Sequence, residues 1–154
     1  MKRITSFSVD HDYIKKDIYI SRIDGDITTY DLRTRVPNGD DYMDNLTMHS
    51  LEHMFATYIR NSEIGESVIY FGPMGCRTGF YLILAGDLNS KDIVELIREM
   101  IDFVIDFEGE IPGYSPRDCG NYLDNNLDMA KFYAAKYKKE VLDDLNETRL
   151  VYPE

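Results

Sequence analysis

Hydrophobic and polar positions along the chain change their period several times, and each change predicts a different element. Residues 17–23 and 26–35 are rich in β-branched and aromatic side chains, and Asp24-Gly25 separates them. Asp-Gly is favoured in tight hairpin turns because it tolerates positive φ. The first predicted element is therefore an antiparallel β-hairpin.

A helical period follows over residues 47–60. Its apolar positions recur at spacings of three and four and form one stripe: Leu51, Met54, Phe55 and Tyr58. Extended structure then returns, because residues 67–71 and 79–85 are typical of strands and the glycine-rich segment 72–78 joins them. These two strands are predicted to form a second antiparallel pair.

Two more helices are predicted in the second half of the chain. One begins near Ser90 as its N-cap, and another begins after Asn126 as its N-cap and continues to Leu145. Four strands and three helices predict an α+β fold, with a small antiparallel four-stranded sheet and helices packed on one face. With 154 residues the chain suits one core, so residues 1–154 are interpreted as a single domain.

The formal net charge of -11 at pH 7 argues against a nucleic-acid or membrane partner, because no basic stripe is present to neutralise phosphates. The longest apolar run, residues 80–85, is far too short to span a bilayer, and the basic N-terminal residues precede no apolar signal segment. We therefore expect a cytoplasmic protein. In a reducing compartment its two cysteines suit metal ligation or catalysis better than a disulfide.

The segment HSLEH, residues 49–53, is the most informative stretch of the chain. Histidines four apart on a helix project from one face and can share a metal ion. Glu52 lies on the same side, whereas the apolar stripe of the helix points the other way. The alternative is two surface histidines on an amphipathic helix, but the intervening Glu favours a metal site.

Two histidines leave a divalent ion short of ligands, and Cys119, in a loop beside Gly120, is the natural third. His₂Cys with a fourth position for water is an open, catalytic geometry. Cys76 lies in the turn between two predicted strands, where the adjacent Arg77 makes it a candidate nucleophile or general base. Glu52 is a candidate proton-transfer group, a partner of a ligand, or a solvated helix residue.

Two other functions fit part of this pattern. The order H-x-x-E-H is also that of the inverzincin metallopeptidases, in which the Glu activates a metal-bound water for amide hydrolysis. Those enzymes use a carboxylate as third ligand, whereas a thiolate lowers the Lewis acidity of the ion. A non-catalytic metal-dependent binding domain is the second alternative, and it leaves Cys76 unexplained.

Five blocks of sequence together resemble the S-ribosylhomocysteine lyase (LuxS) family. These blocks are SFSVDH (6–11), YDLR (30–33), HSLEH (49–53), GPMGCRTGFY (72–81) and DCGNY (118–122). The resemblance covers nearly the whole chain. One departure from the family pattern lies after Arg33, where Thr34 and Arg35 stand in place of the usual aromatic residue and cysteine.

The resemblance implies a homodimer of α+β subunits with active sites at the interface. Such an enzyme cleaves S-ribosylhomocysteine to homocysteine and 4,5-dihydroxy-2,3-pentanedione, the precursor of the quorum-sensing signal autoinducer 2. It also implies one Fe²⁺ per subunit, which Zn²⁺ or Co²⁺ can replace. The implied metal ligands are His49, His53 and Cys119, and the implied proton-transfer residues are Cys76 and Glu52. The implied substrate-binding residues, contributed from the neighbouring subunit, are Ser6, His11 and Arg33.

Overall fold

The computed structural model describes residues 2, 4, 7–145 and 150–153. Within these residues the chain forms four strands and three helices. The strands are β1 (Asp17–Asp24), β2 (Ile27–Arg33), β3 (Val68–Pro73) and β4 (Gly79–Ala85), and the helices are α1 (Asn45–Arg60), α2 (Ser90–Asp106) and α3 (Leu127–Glu140). Short 3₁₀ turns, Gly65–Ser67 and Leu142–Asp144, precede β3 and follow α3.

The strands form one sheet in the order β1-β2-β4-β3, and every neighbouring pair is antiparallel. The predicted hairpin is confirmed, with Gly25 in its turn at a φ of +64° that glycine adopts without strain. At the other end of β2, Arg33 pairs with Gly79 of β4. A Cβ on Gly79 would lie 2.5 Å from the carbonyl oxygen of Leu32, so only glycine fits at this crossing.

The helices pack on one face of the sheet, as predicted, and the core lies between them. Phe55 of α1 meets Phe71 of β3 and Phe80 of β4, with ring centroids 5.7 and 5.4 Å apart. Strand alternation places Tyr30 and Leu32 in this core. The residues between and beside them therefore point to the opposite face of the sheet, which none of the described helices covers.

Two predicted helix ends differ from the structure by a few residues. Asn89 rather than Ser90 caps α2, because it is the Asn89 side chain that accepts a hydrogen bond from the first turn. Asn126 caps α3 as predicted, but that helix ends at Glu140, before the predicted end at Leu145. The α+β fold class predicted from the sequence is confirmed.

The departure from the family pattern at Arg35 has a structural counterpart. The Arg35 side chain is only 1% exposed, and its guanidinium contacts Asp41 at 2.7 Å and Glu140 at 3.0 Å. It also lies over the ring of Tyr133, 5.2 Å from the centroid. Arg35 therefore ties the loop after β2 to helix α3.

Asp41 makes this charge network sensitive to acid. A hydrogen bond from Lys136, helped by Arg35, lowers the pKa of Asp41 to about 2. A carboxyl whose pKa is lower in the folded state stabilises the fold above its unfolded pKa of about 4, and this contribution is lost as the pH falls towards about 2. Asp41→Asn should therefore be less stable than the wild type at neutral pH, and the difference should shrink in acid.

Urea unfolding of wild type and variant across that pH range measures this difference. Asp40→Asn, at the exposed neighbouring position, is the matched control and should show no such convergence. If the free energies of unfolding of wild type and Asp41→Asn differ by the same amount down to about pH 2, the lowered pKa of Asp41 does not stabilise the fold.

Candidate metal centre and catalytic residues

Helix α1 presents His49 and His53 on the side turned away from the core. Both rings are partly exposed, whereas Leu51, Met54 and Phe55 are buried on the other side of the same helix. This arrangement confirms the predicted division of α1 into an apolar face and a polar face. The histidine rings lie edge to face with centroids 4.7 Å apart, so their free nitrogens open into one space.

Two backbone carbonyls fix how the histidine rings are oriented. His49 Nδ1 lies 2.9 Å from the carbonyl oxygen of Asp124, and His53 Nδ1 lies 2.9 Å from that of Pro112. A carbonyl oxygen only accepts, so each Nδ1 carries the proton and donates. In the neutral tautomer with this proton, the lone pair is on Nε2, and this is the form of imidazole that binds a metal ion.

Cys119 completes the cluster from the loop between α2 and α3. Its Sγ lies 3.4 Å from His49 Nε2 and accepts a hydrogen bond from the backbone of Asn121. Potential ligand atoms of His49, His53 and Cys119 all lie within 4.8 Å of one another. Two imidazole nitrogens and one sulfur suit a divalent transition metal and leave a fourth position open, so the donor set fits the predicted ion.

Tyr114 supports both histidines and was not identified from the sequence. Its ring centroid lies 5.1 Å from that of His49 and 4.5 Å from that of His53. The Tyr114 hydroxyl donates to the Asp124 carbonyl at 2.9 Å, the same oxygen that orients His49. Burial, reinforced by the negative charges of Cys119 and Glu52, raises the pKa of Tyr114 to about 12. It therefore stays a neutral donor.

Glu52 lies at the edge of the metal cluster. Its Oε2 is 3.9 Å from His53 Nε2, and its side chain is 31% exposed. The Glu52 carboxylate therefore lies beside a potential ligand nitrogen of the cluster and remains in contact with solvent. That geometry suits a group that accepts and returns protons.

Gly113 allows the close approach of the loop to His53. Its φ is +76°, and a Cβ there would lie 3.0 Å from His53 Nδ1. Gly109 in the same loop has a φ of +113° but nothing within 4 Å of such a Cβ. Gly113→Ala should therefore displace the His53 ring, whereas Gly109→Ala adds only backbone strain.

Both alanine variants should lose stability, by about 1–2 kcal/mol from the positive φ. Only Gly113→Ala should also bind metal more weakly, by about tenfold or more, because the orientation of a ligand ring is disturbed. Competition with a chelator of known affinity measures the difference. Equal metal affinities in the two variants would show that Gly113 does not act through His53.

Cys76 lies in the turn between β3 and β4 and is exposed. The turn is tight, since Arg77 has a φ of +62°. The Arg77 guanidinium lies over the ring of Tyr42, whereas Cys76 Sγ contacts the hydroxyl of Thr78 at 3.0 Å. Cys76 and His11 line one cavity of about 220 Å³.

Two of the three predicted substrate-binding residues, His11 and Arg33, lie on this side of the molecule. His11 and Arg33 both line a larger cavity of about 660 Å³ on the sheet face that no helix covers. Ser6 lies outside the described residues. Among the residues that line these two cavities in the described part of the chain, none belongs to the metal cluster or is Glu52.

One subunit thus carries two separate groups of predicted functional residues. The first is the metal cluster with Glu52, on α1 and the loop before α3. The second contains Cys76, His11 and Arg33, at the end of the sheet. The cluster of potential ligand atoms among the described residues includes Cys119 and not Cys76.

Comparisons with known proteins agree over nearly the whole chain. The family model described as S-Ribosylhomocysteinase (LuxS) matches residues 4–148. The chain is 51% identical to the S-ribosylhomocysteine lyase of Clostridium acetobutylicum, with all of both chains covered, and 51% identical to that of Finegoldia magna, again with all of both covered. It is 49% identical to the S-ribosylhomocysteine lyase of Phocaeicola vulgatus, with 99% of this chain and 98% of the relative covered. None of the helices in the described part of the chain combines the length and apolar character needed to cross a bilayer.

Proposed function

The chain belongs to the S-ribosylhomocysteinase (LuxS) family, and we propose from this membership that it is a carbon–sulfur lyase acting on S-ribosylhomocysteine. It cleaves this substrate to homocysteine and 4,5-dihydroxy-2,3-pentanedione, the precursor of autoinducer 2. The observation that carries the proposal is the cluster of His49, His53 and Cys119, with potential ligand atoms within 4.8 Å of one another. A peptidase of the H-x-x-E-H type is disfavoured because the third donor is a thiol rather than a carboxylate.

The metal is proposed to be Fe²⁺, one ion per subunit, held by His49, His53 and Cys119. Zn²⁺ or Co²⁺ can substitute, because His₂Cys ligation with an open position suits all three ions. When bound, the ion supplies Lewis acidity to the oxygens of the substrate. The carbonyls of Asp124 and Pro112 keep both imidazoles oriented for this purpose.

Cys76 and Glu52 are proposed to move the protons. The carbonyl of the open-chain sugar migrates along the carbon skeleton, and each migration requires removal of a proton from a carbon beside the carbonyl. Cys76, as a thiolate, takes this proton and returns it to the carbon that had carried the carbonyl, and Glu52 carries protons between the substrate oxygens. In the final β-elimination Glu52 removes a proton from the carbon beside the carbonyl, the electron pair forms a carbon–carbon double bond, and the carbon–sulfur bond breaks. Homocysteine leaves as a thiolate and takes up a proton.

A second subunit is proposed to complete each active site. The metal cluster with Glu52 and the group with Cys76 line different parts of one subunit, so two copies related by a two-fold axis can pair each group with its complement. The sheet face that no helix covers is the proposed contact surface, and its exposed apolar residues support this. Ile4 and Tyr70, which line the large cavity on this face, are 55% and 49% exposed.

Cys76 is assigned to the same half of the site as Arg33. Arg33 donates to the Thr78 hydroxyl at 2.7 Å, and that hydroxyl contacts Cys76 at 3.0 Å. His11 lines both cavities of this half. Each active site is therefore proposed to combine Cys76, His11 and Arg33 of one subunit with the metal cluster of the other.

Release of free thiol from S-ribosylhomocysteine tests the function. Fe²⁺-loaded protein is incubated anaerobically with the substrate, and homocysteine is followed with a chromogenic thiol reagent. We expect release that stops when a chelator removes the metal and resumes when Fe²⁺ is restored. No release from metal-replete, dimeric protein would refute the proposal, and peptide hydrolysis would then be assayed.

A further inference from the structure

A continuous chain of hydrogen bonds runs from the C-terminal segment to Cys76. The Tyr152 hydroxyl donates to Asp31 Oδ2 at 2.7 Å. Arg33 donates to both oxygens of Asp31, at 2.6 and 3.1 Å, and its third nitrogen donates to Thr78 Oγ1 at 2.7 Å. Thr78 Oγ1 in turn lies 3.0 Å from Cys76 Sγ. Five residues from three parts of the polypeptide are thereby connected: strand β2, the turn between β3 and β4, and the C-terminal segment.

The direction of these hydrogen bonds follows from the chemistry of the groups. A guanidinium only donates, so Thr78 Oγ1 must accept from Arg33. The hydroxyl hydrogen of Thr78 is then free to point at the neighbouring sulfur of Cys76. A donor at that distance holds the sulfur in place and favours its negatively charged form.

The residues in the middle of this hydrogen-bond network are almost entirely buried. Asp31, Arg33 and Thr78 are 0%, 3% and 2% exposed. A buried carboxylate must be paired, and Asp31 is satisfied by the Arg33 fork on one side and Tyr152 on the other. Two nitrogens of the Arg33 guanidinium are held by Asp31. The third nitrogen, which donates to Thr78, is therefore restricted in position.

Tyr152 is the residue of this hydrogen-bond network that lies farthest from Cys76. Its ring stacks on Tyr19 with centroids 4.6 Å apart, which places the hydroxyl over Asp31. Burial, with the charge of Asp31, raises the pKa of Tyr152, so the hydroxyl keeps its proton and remains a donor. The backbone of Leu150 also accepts a hydrogen bond from Ile20 at 3.0 Å, which anchors the C-terminal segment beside β1.

We propose that Thr78, Asp31 and Tyr152 are positioning residues of the lyase: Thr78 orients and activates Cys76, and Asp31 with Tyr152 fixes Arg33 for the substrate. The consequence for turnover rests on the proposed function. The effect on Cys76 itself does not, because the reactivity of a thiol can be measured without the substrate. The two are therefore testable separately.

Alkylation of Cys76 by iodoacetamide tests the Thr78 end. The metal-loaded protein is treated anaerobically at about pH 6, well below the ordinary pKa of a thiol, and modification of the peptide containing Cys76 is followed by mass spectrometry. Loss of the donor in Thr78→Val should slow alkylation roughly threefold to fivefold, since a smaller thiolate fraction outweighs the higher nucleophilicity of a more basic sulfur. Thr78→Ser, which keeps the hydroxyl, should restore the rate.

Thr34→Val is the matched control. Thr34 is 3% exposed, and its hydroxyl donates to the backbone oxygen of Thr78 at 3.2 Å. The substitution therefore removes an equally buried hydroxyl that does not belong to the hydrogen-bond network between Tyr152 and Cys76. We expect its alkylation rate to equal that of the wild type. A wild-type rate in Thr78→Val, or the same slow rate in Thr34→Val and Thr78→Ser, would overturn the role of Thr78.

The Tyr152 end is tested by steady-state kinetics. Tyr152→Phe keeps the ring on Tyr19 but removes one donor from Asp31, so Arg33 should hold the substrate less well. We expect KM to rise about threefold to tenfold while kcat changes less than about twofold. Tyr19→Phe, which loses a hydroxyl that hydrogen-bonds with the backbone of Lys15, should leave both constants unchanged. An unchanged KM in Tyr152→Phe would show that Tyr152 does not position Arg33 for the substrate.

Failure of the inference is distinguishable from failure of the proposed function. If the wild type releases no homocysteine, the function is wrong, and the alkylation rates still decide whether Thr78 activates Cys76. If the wild type is active and Cys76 is alkylated at the wild-type rate in Thr78→Val, the proposed function stands, and the hydrogen-bond network does not influence the Cys76 thiol.

Discussion

Cys76→Ala is expected to lower the rate of homocysteine release by at least about a hundredfold, the typical contribution of a general base. Bound metal should stay at the wild-type level, because Cys76 is not part of the cluster formed by His49, His53 and Cys119. Alanine removes the thiolate without adding bulk at an exposed turn, so the fold should persist. Thiol-release kinetics and metal analysis of the same preparation measure both quantities.

The other cysteine supplies the control for this prediction. Cys119→Ala removes a sulfur ligand, so it should lose bound metal and activity together. The two cysteine variants therefore separate loss of the proton-transfer group from loss of the ion. Substantial turnover in Cys76→Ala, or loss of metal from it, would show that the role assigned to Cys76 is wrong.

Much of this arrangement was predictable because it depends on short-range periodicity. His49 and His53 lie one helical turn apart, so the sequence alone places them on one face and puts Leu51 and Met54 on the other. The Asp24-Gly25 pair likewise predicts a hairpin locally. The structure confirms the helix face and the hairpin, but Asp24 pairs with Ile27, so the two turn residues are Gly25 and Asp26. The antiparallel pairs β1–β2 and β3–β4 follow from short connections, whereas the pairing of β2 with β4 joins strands that are distant in sequence.

Features that depend on distant segments were not predictable in this way. Tyr114 packs on both histidines from a loop more than fifty residues downstream, and no periodicity marks it. Tyr152 reaches Asp31 across a sequence separation of 121 residues. Spacing along the chain contains no information about such contacts, because the fold rather than the local pattern brings the partners together.

The exact first residue of helix α2 was also not predictable from the sequence. Asn89 and Ser90 are both good helix caps, and the sequence pattern does not decide between them. Extended backbone at Asn89, with its side chain accepting from the first turn, settles the boundary in the structure. The end of α3 is similar, since Leu142 and Leu145 continue the apolar pattern while the backbone has already left the α-helix.

Mixed dimers should show that each active site contains residues of two subunits. Cys76→Ala and Glu52→Gln homodimers are both expected to be nearly inactive. When one subunit carries each change, one site receives wild-type Cys76 from the Glu52→Gln subunit and wild-type Glu52 from the other. The second site receives both changes. A heterodimer purified through two different tags should therefore recover about half the activity of the wild type.

The control for this experiment combines two changes on the same half of the site. His11 and Cys76 line one cavity, so a heterodimer of His11→Ala and Cys76→Ala subunits leaves every site with one defect and should stay inactive. Recovery in the first heterodimer and none in the second requires Cys76 and Glu52 of one site to come from different subunits. If the Cys76→Ala with Glu52→Gln heterodimer instead stays inactive, both residues belong to one subunit. Cys76 would then have to approach the metal cluster within its own chain, against the contacts that place it with Arg33.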